Sequence, residues 1–492
     1  MLQAGSIVGS AIAFVVSDYL GRKRTSQLAC ILWVLGTIVW FTSVRGHEGD
    51  GNLSQLLAGR FLAGLGVGIT PVCAPTYLAE IAPRALRGLA VCIFSGTVYI
   101  GILLGYWVNY GTERNIDPTS ATQWRLPAAL NFIFATLIFT SSFFIPESPR
   151  WLLKVRREDD ARKALNWLRN KGDNDAVVCQ EFDDMAETLD KERKVRGNRA
   201  WSDVFWQLIS EKRNIQVLII SIGIQVFGQF SGGGSMTVFA PKLFGYVGIS
   251  SADSKLFTTG VFGIVKVLSS LAAAFFIVDL LGRKFAVMAG LFIQSVCSLY
   301  LAVYLKYHSD DEDYTRAEKM MADVGIFFVF LSGFAWAIGV NSVQYLSQTE
   351  MFNLEVRSLG VAVISVLHFL CQFGSSRSVN PIIDSGGPSS LFVFFFVMSI
   401  AALFFVFFMM PEVSGYPLER VRELFEQKPW YLVGCTQNRP LRHKEQVCAA
   451  DEGMPELGKR QPDGDCQSDG NGDAAEKGGK DGGVFARIKM VD

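Results

Sequence analysis

The chain has 492 residues, with 46 Lys plus Arg against 46 Asp plus Glu, so no net charge builds a field suited to nucleic acid. Half of its residues are hydrophobic and its mean hydropathy is +0.28; only 19% are charged, against roughly a quarter in soluble domains. Nine Cys without a C-x-x-C pair exclude a disulfide scaffold and four His without ligand spacing argue against zinc, which leaves an integral membrane protein.

A helix needs about 20 mostly apolar residues to cross the hydrocarbon core. Eleven stretches qualify, at about 2–17, 26–44, 54–79, 88–109, 125–145, 215–240, 256–278, 285–305, 324–349, 358–383 and 389–410. They lack period-two alternation and are rich in Leu, Ala, Gly and Phe, which predicts helices rather than strands. Helices also satisfy their own backbone groups in lipid. The first five stretches form an amino-terminal transmembrane unit, residues 1–149. Residues 150–213 are charged, and Ala161, Ala164, Leu165 and Leu168 make an apolar stripe at helical period. That segment is predicted to be a cytoplasmic cap of short amphipathic helices. Six more spans occupy 214–412. Residues 413–492 form a cytoplasmic tail, disordered by composition from about 428. The basic clusters Gly21-Arg22-Lys23-Arg24, Gly282-Arg283-Lys284 and Arg150 to Arg157 share one side if each span crosses once, and that side is the cytoplasm.

The chain repeats itself. Asp18-x-x-Gly21-Arg22-Lys23 recurs as Asp279-x-x-Gly282-Arg283-Lys284, Glu80-x6-Arg87 as Glu350-x6-Arg357, and Pro146-Glu147 as Pro411-Glu412. The order is kept and the offsets nearly agree, so the chain has two homologous halves. Two spans precede Asp279 in the second half, but only one precedes Asp18 in the first. A six-plus-six parent design therefore predicts a further span ahead of Met1. The alternative is a genuine eleven-span chain.

These markers resemble the sugar porter family of the major facilitator superfamily, over about residues 1–427, with a flavour similar to fungal members. Beside the D-x-x-G-R-K loop stand Gly59-Arg60-Phe61 with Gly64, Gly66 and Gly68, and Pro75-x-Tyr77-x-x-Glu80-x-x-Pro83-x-x-x-Arg87-Gly88. Trp124-Arg125-Leu126-Pro127, Pro146-Glu147-Ser148-Pro149-Arg150-Trp151-Leu152 and Pro411-Glu412-x-x-Gly415-x-x-Leu418-Glu419 complete the set. The resemblance implies an all-α major facilitator fold of two six-helix halves with the first helix missing. It also implies a multi-pass monomer of the plasma membrane with a cytoplasmic carboxy terminus, embedded in the lipid bilayer and without cofactor or metal. Its cargo would be a sugar, polyol or sugar acid, moved by alternating access with or without a coupled proton.

The charged residues at the cytoplasmic span ends are the expected gate: Asp18, Arg22, Arg60, Glu80, Arg87, Glu147, Arg150, Asp279, Arg283, Glu350, Arg357 and Glu412. A charge costs about 2.5–3.5 kcal/mol at a helix centre and less near the ends. Paired across the two halves, such charges would hold the cytoplasmic side closed. Asp18 and Asp279 are expected to brace their loops. In proton-coupled relatives an Asp on the first span faces Arg60. Lys266 lies mid-span and demands a partner or a wet cavity.

Solute contacts are expected from mid-span polar residues. Gln225 and Gln229 are i and i+4 on one helix face, just before Ser231-Gly232-Gly233-Gly234, where the helix should loosen. Gln229, Ser231, Gly232 and Pro241 match the family's seventh-span motif. Asn341, Gln344 and Tyr345 stand where the family has a proline-rich tenth-span motif ending in Trp, and His368 aligns with an Asn, with Gln372 one turn further. Ser95 stands where hexose carriers have Gln. These departures imply altered selectivity. Gly64-x3-Gly68 and Gly101-x3-Gly105 permit close helix approach and are not phosphate loops. Transport competes with two other readings, a non-transporting nutrient sensor and the inactive product of a truncated gene. No nucleophile elbow, zincin motif or Walker loop supports an enzyme.

Overall fold

The computed structural model describes residues 1–43, 53–83, 87–117, 120, 122–172, 175–196, 201–249, 251–277, 282–307, 316–352 and 356–412. Some side chains inside these segments, those of Arg87 and Glu350 among them, lie outside the description, as do Asp279 and the tail expected from 413.

The described residues are helical and contain no strand. The membrane-length elements run α1 Leu2–Leu20, α2 Arg22–Phe41, α3 Leu53–Ile81, α4 Arg87–Asn115 and α5 Thr122–Ser141. Four shorter helices follow: α6 Pro149–Lys154, α7 Glu158–Arg169, α8 Ala176–Arg196 and α9 Trp201–Ser210. Then come α10 Lys212–Phe230, α11 Gly233–Val238, α12 Ala240–Tyr246, α13 Ala252–Ala272 and the π-helical turn α14 Ala273–Ile277. The set closes with α15 Arg283–Tyr307, α16 Arg316–Ile338, α17 Val340–Met351 and α18 Arg357–Met409. Eight helical runs among the described residues are long and apolar enough to cross a membrane. The last, α18, covers two predicted spans and breaks at Gly387, whose φ is +75°. The predicted spans near 125–145 and 215–240 are the helices α5 and α10, the latter broken after Phe230.

Burial explains why these runs sit in lipid. On α5 the small Ala128 and Ala135 face inward, while Phe132, Ile133, Leu137 and Ile138 point outward and are exposed. A water-soluble helix shows the opposite pattern. One buried cluster joins Ile220, Ile224, Leu291, Trp336, Val340, Leu359 and Ile364 across α10, α15, α16, α17 and α18. A second gathers Met236, Phe244, Phe262, Leu301, Phe392 and Phe395 around α11 to α13.

Small residues set the spacing of the first three helices. The glycine motif of α3 faces two neighbours at once. A Cβ on Gly64 or Gly68 would strike the Leu2 or Ser6 carbonyl of α1, and one on Gly66 would strike the Ala29 carbonyl of α2. Ser10 uses the closeness to donate to the Gly68 carbonyl at 2.8 Å. The matching approach is not seen at Gly101 and Gly105: among the described residues nothing lies within 4 Å of a Cβ at either position.

The helices α6 and α8 pack on the α7 stripe. Ala161, Ala164 and Leu165 of α7 are buried against Trp151, Leu152, Leu153, Val178 and Phe182. Ser148 starts α6 by accepting the Trp151 N–H at 3.3 Å, with Pro149 in the first turn. Arg169 ties the cap to the membrane helices. It pairs with Glu181 at 2.6 Å and donates to the Ile81 carbonyl, at the end of α3, at 3.0 Å.

Candidate functional site

The break after α10 shapes the central site. Gly232 has φ +97°, and a Cβ there would lie 2.6 Å from the Phe395 ring, so glycine alone fits. The helix therefore ends one residue beyond Gln229. Gln225 and Gln229, both buried, turn the same way and meet one ring nitrogen of His368 on α18. Gln225 Oε1 lies 3.0 Å and Gln229 Nε2 3.2 Å from His368 Nδ1. One nitrogen cannot donate to the first amide and accept from the second at once, so either tautomer leaves one amide group open. Ser375 fixes the arrangement from behind. It donates to the Gln229 carbonyl at 3.2 Å and bonds Ser235 of α11 at 2.6 Å. Tyr345 stands beside His368, ring centroids 6.0 Å apart, with Phe94 edge-on to it at 5.6 Å.

The other expected solute residues divide. Asn341 Oδ1 accepts from Gln344 Nε2 at 3.2 Å, and Asn341 Nδ2 is buried without a partner among the described residues. Ser95 is buried but donates to the Cys92 carbonyl of its own helix at 2.8 Å. Gln372 is half-buried and makes no hydrogen bond among the described residues. Sequence reasoning missed Ser375, although His368, Gln372 and Ser375 share one face at i, i+4 and i+7. It also missed Gln294, which reaches the Ser231 carbonyl at 3.4 Å, and Tyr99, one turn after Ser95.

The charged residues form a second cluster at the end of α1. Arg22 grips Glu80 through Nε and Nη2 at 3.1 and 3.0 Å, and its Nη1 reaches Asp18 at 3.2 Å. Lys154 holds the other Asp18 oxygen at 3.0 Å, and Ser148 donates to Glu80 at 2.5 Å. All these partners belong to the first 154 residues. They brace the end of α1, α2 and α3 against the cap rather than pairing across the repeat, as the gate expectation had it.

Glu147 and Glu412 play a role that spacing did not suggest. Glu147 accepts the backbone N–H groups of Arg22 and Lys23 at 2.8 and 3.0 Å. Glu412 does the same for Arg283 and Lys284 at 2.9 Å each. Lys23 donates to the Phe143 carbonyl and Lys284 to the Phe407 carbonyl, at 3.1 and 2.7 Å. The internal repeat is thus a repeat of contacts. Arg150 is half-buried at the start of α6, Arg357 donates to the Phe352 carbonyl at 3.3 Å, and Arg60 is exposed with Trp40 5.3 Å away. Asp279 and the side chains of Arg87 and Glu350 lie outside the described residues. A cavity of about 590 Å³ opens between α2 and the cap, lined by Lys23, Arg24, Trp151, Lys163 and Trp167, and includes none of the central polar residues.

Comparison with known proteins agrees with this geometry. The family described as "Sugar (and other) transporter" matches residues 1–425. The chain is 31% identical over 431 residues to the MFS-type transporter qa-x of Neurospora crassa, covering 87% of this chain and 79% of the relative. It is also 31% identical to the quinate permease of Neurospora terricola, with the same coverage. Among solved structures it is similar to the proton:xylose symporter XylE bound to 6-bromo-6-deoxy-D-glucose. That likeness has a TM-score of 0.72 at 22% identity, over 86% of this chain and 87% of that one. At that identity the likeness bears on the fold.

Proposed function

This chain belongs to the sugar transporter family, with the major facilitator fold, and we propose that it moves its sugar-like polyhydroxy solute by alternating access about the Gln225–His368–Gln229 cluster. The chief support is the shared ring nitrogen. A solute hydroxyl both donates and accepts, so it can satisfy whichever amide the tautomer leaves open. Asn341 Nδ2 offers a further buried donor, and Tyr345 an apolar face for a ring. Relatives named quinate permeases support sugar acids as cargo beside neutral sugars and polyols.

The path is proposed to run between residues 1–149 and 214–412, with 150–213 joining them on the cytoplasmic side. The protein would work as a monomer in the bilayer of the plasma membrane, carboxy terminus inward, in keeping with its basic inner loops. The Arg22–Glu80–Asp18 cluster would bias the two-state equilibrium by stiffening that face.

The test is uptake by the purified full chain in liposomes, with labelled glucose, myo-inositol and quinate, with and without an inward proton gradient. Saturable uptake that self-competition abolishes is the expected result, and stimulation by the gradient would identify the coupling ion. A folded preparation that takes up none of the three under either condition sinks the carrier reading. Saturable binding without flux would make the protein a sensor.

A further inference from the structure

Lys266 is a charged residue singled out mid-span that the amide cluster leaves unused. It sits in α13 and is wholly buried. Its ammonium donates to the Thr237 hydroxyl and lies 5.3 and 4.9 Å from the centroids of the Tyr99 and Phe262 rings. No described carboxylate forms an ion pair with it. One of its three N–H groups is therefore used by a neutral acceptor, and the ring faces offer the rest only weak electrostatic compensation. A buried ammonium inside a membrane span without an anion is costly, and such residues mark solute or ion paths.

Its surroundings fit one class of ligand. Tyr99 Oη is buried beside Trp336 and, among the described residues, lacks a hydrogen-bond partner of good geometry, as does Ser270 Oγ, one turn along α13 from Lys266. The Tyr99 hydroxyl belongs to a ring that faces the ammonium, and a hydroxyl can donate to an anion or pair with a solute hydroxyl. The surroundings of Lys266 are also joined to the amide site through α11 and Trp336. Thr237 lies in the last turn of α11, the short helix that begins near Gln229, where a Cβ on Gly234 would lie 3.0 Å from Gln229 Oε1. Trp336 packs against Gly233 of that helix on one side and reaches Tyr99 on the other. Lys266 and Tyr99 face each other across the seam of α13 and α4, where Gly263 meets Leu103 and Tyr106, and Gly260 meets Trp107. Helices of the two homologous stretches meet at this seam, so an alternating-access motion that parts them uncovers the ammonium.

We propose that Lys266 binds the carboxylate of the transported solute, so that the preferred cargo is an anionic polyhydroxy acid rather than a neutral sugar. The proposal rests on the carrier reading and deepens it. The carboxylate would take the free ammonium N–H groups. Tyr99 would meet a neighbouring oxygen, and the far hydroxyls would reach Gln225, Gln229 and His368. Electrostatics then selects for charge, and the amides select for the hydroxyl pattern.

The test compares wild type with Lys266→Met, which keeps the length of the side chain and removes its charge. The probes are quinate and gluconate as acids, and myo-inositol and glucose as neutral partners. Wild type should prefer an acid, and Lys266→Met should lose acid uptake by about 100-fold or more, the scale of truncating one side of a buried charged contact. Uptake of the neutral probes should hold or rise. The melting temperature of Lys266→Met should equal or exceed that of wild type, because a buried charge has been replaced by an apolar group. A lysine with a merely structural role would instead lower the melting temperature and all uptake together, which overturns the proposal. Wild type that carries a neutral probe and shows no preference for either acid also overturns it, while the carrier reading stands. If no probe is carried, binding decides. Thermal stabilisation by an acid in wild type, absent in Lys266→Met, keeps the lysine assignment although the carrier reading has failed. Stabilisation by neither acid removes both.

Discussion

The backbone N–H of Arg22 lies 2.8 Å from Glu147 Oε1, a contact between residues 125 positions apart. α2 has no side-chain cap of its own; Glu147 supplies one from the far end of α5. Helix N-termini expose unpaired N–H groups and a partial positive charge, and a carboxylate answers both. Gly21 completes the device. Its φ is +88°, and a Cβ there would lie 2.5 Å from Glu147 Oε2. Gly282 and Glu412 repeat it, with φ +86° and the same 2.5 Å approach.

Removing either cap should therefore cost stability before it costs transport. Glu412→Ala should lower stability by about 1–3 kcal/mol, the range for charge-assisted hydrogen bonds to a helix end. Glu147→Ala should behave alike. Thermal unfolding in detergent reads this, and an unchanged midpoint in both variants would contradict the cap.

Arg22 and Glu80 are both largely buried and joined by two hydrogen bonds. Arg22→Met removes the cation from Glu80 and leaves Asp18 with Lys154, and should destabilise by about 3–5 kcal/mol. Arg22→Met combined with Glu80→Gln should cost less than the two single changes added together. A double-mutant cycle on unfolding midpoints measures the difference, and strict additivity would speak against a direct pair.

The glycines of α3 and α4 give opposite expectations for the same change. Gly68→Leu must displace α1 and should abolish the folded yield. Gly101→Leu meets open space and should leave yield and midpoint within about 0.5 kcal/mol of wild type, as for other uncrowded surface sites. Fluorescence-detected size exclusion of both variants is enough. Equal behaviour would mean that the packing of α1 on α3 is not as described.

In the central cluster, Gln225→Ala and Gln229→Ala should each lower kcat/KM for the carried solute by about tenfold, the worth of one hydrogen bond to a buried partner. Because both amides address one ring nitrogen, the two losses should not add, and the double variant should resemble His368→Ala. Uptake kinetics on the four variants decides. Additive losses would mean that each amide meets the solute independently of His368.

Much of this was legible in the residues. Gln225 and Gln229 were marked by their i, i+4 spacing, the loosening after Phe230 by its run of glycines, and the cap by the α7 stripe. The repeat was visible as motifs, but what it does was not. A glutamate in Pro146-Glu147 gives no local hint that it caps a helix 125 residues away, because the contact exists only once both helices are placed. The two GxxxG patterns could not be told apart for a related reason. In a span that is apolar all round, composition does not say which face meets protein and which meets lipid. Ser95 is ambiguous in the same way, since a serine in an apolar helix can satisfy itself on its own backbone.

The crowding on α3 has a consequence for how this gene tolerates change. In a library randomised along Leu53–Ile81, surviving clones should show two narrow tracks where no side chain is admitted, one through Gly64 and Gly68 and one through Gly66. Between the tracks, at positions such as Ala58 that stand in the open, almost any apolar residue should pass. The tolerance profile of a single helix would then report, residue by residue, which of its flanks touches α1, which touches α2 and which touches neither.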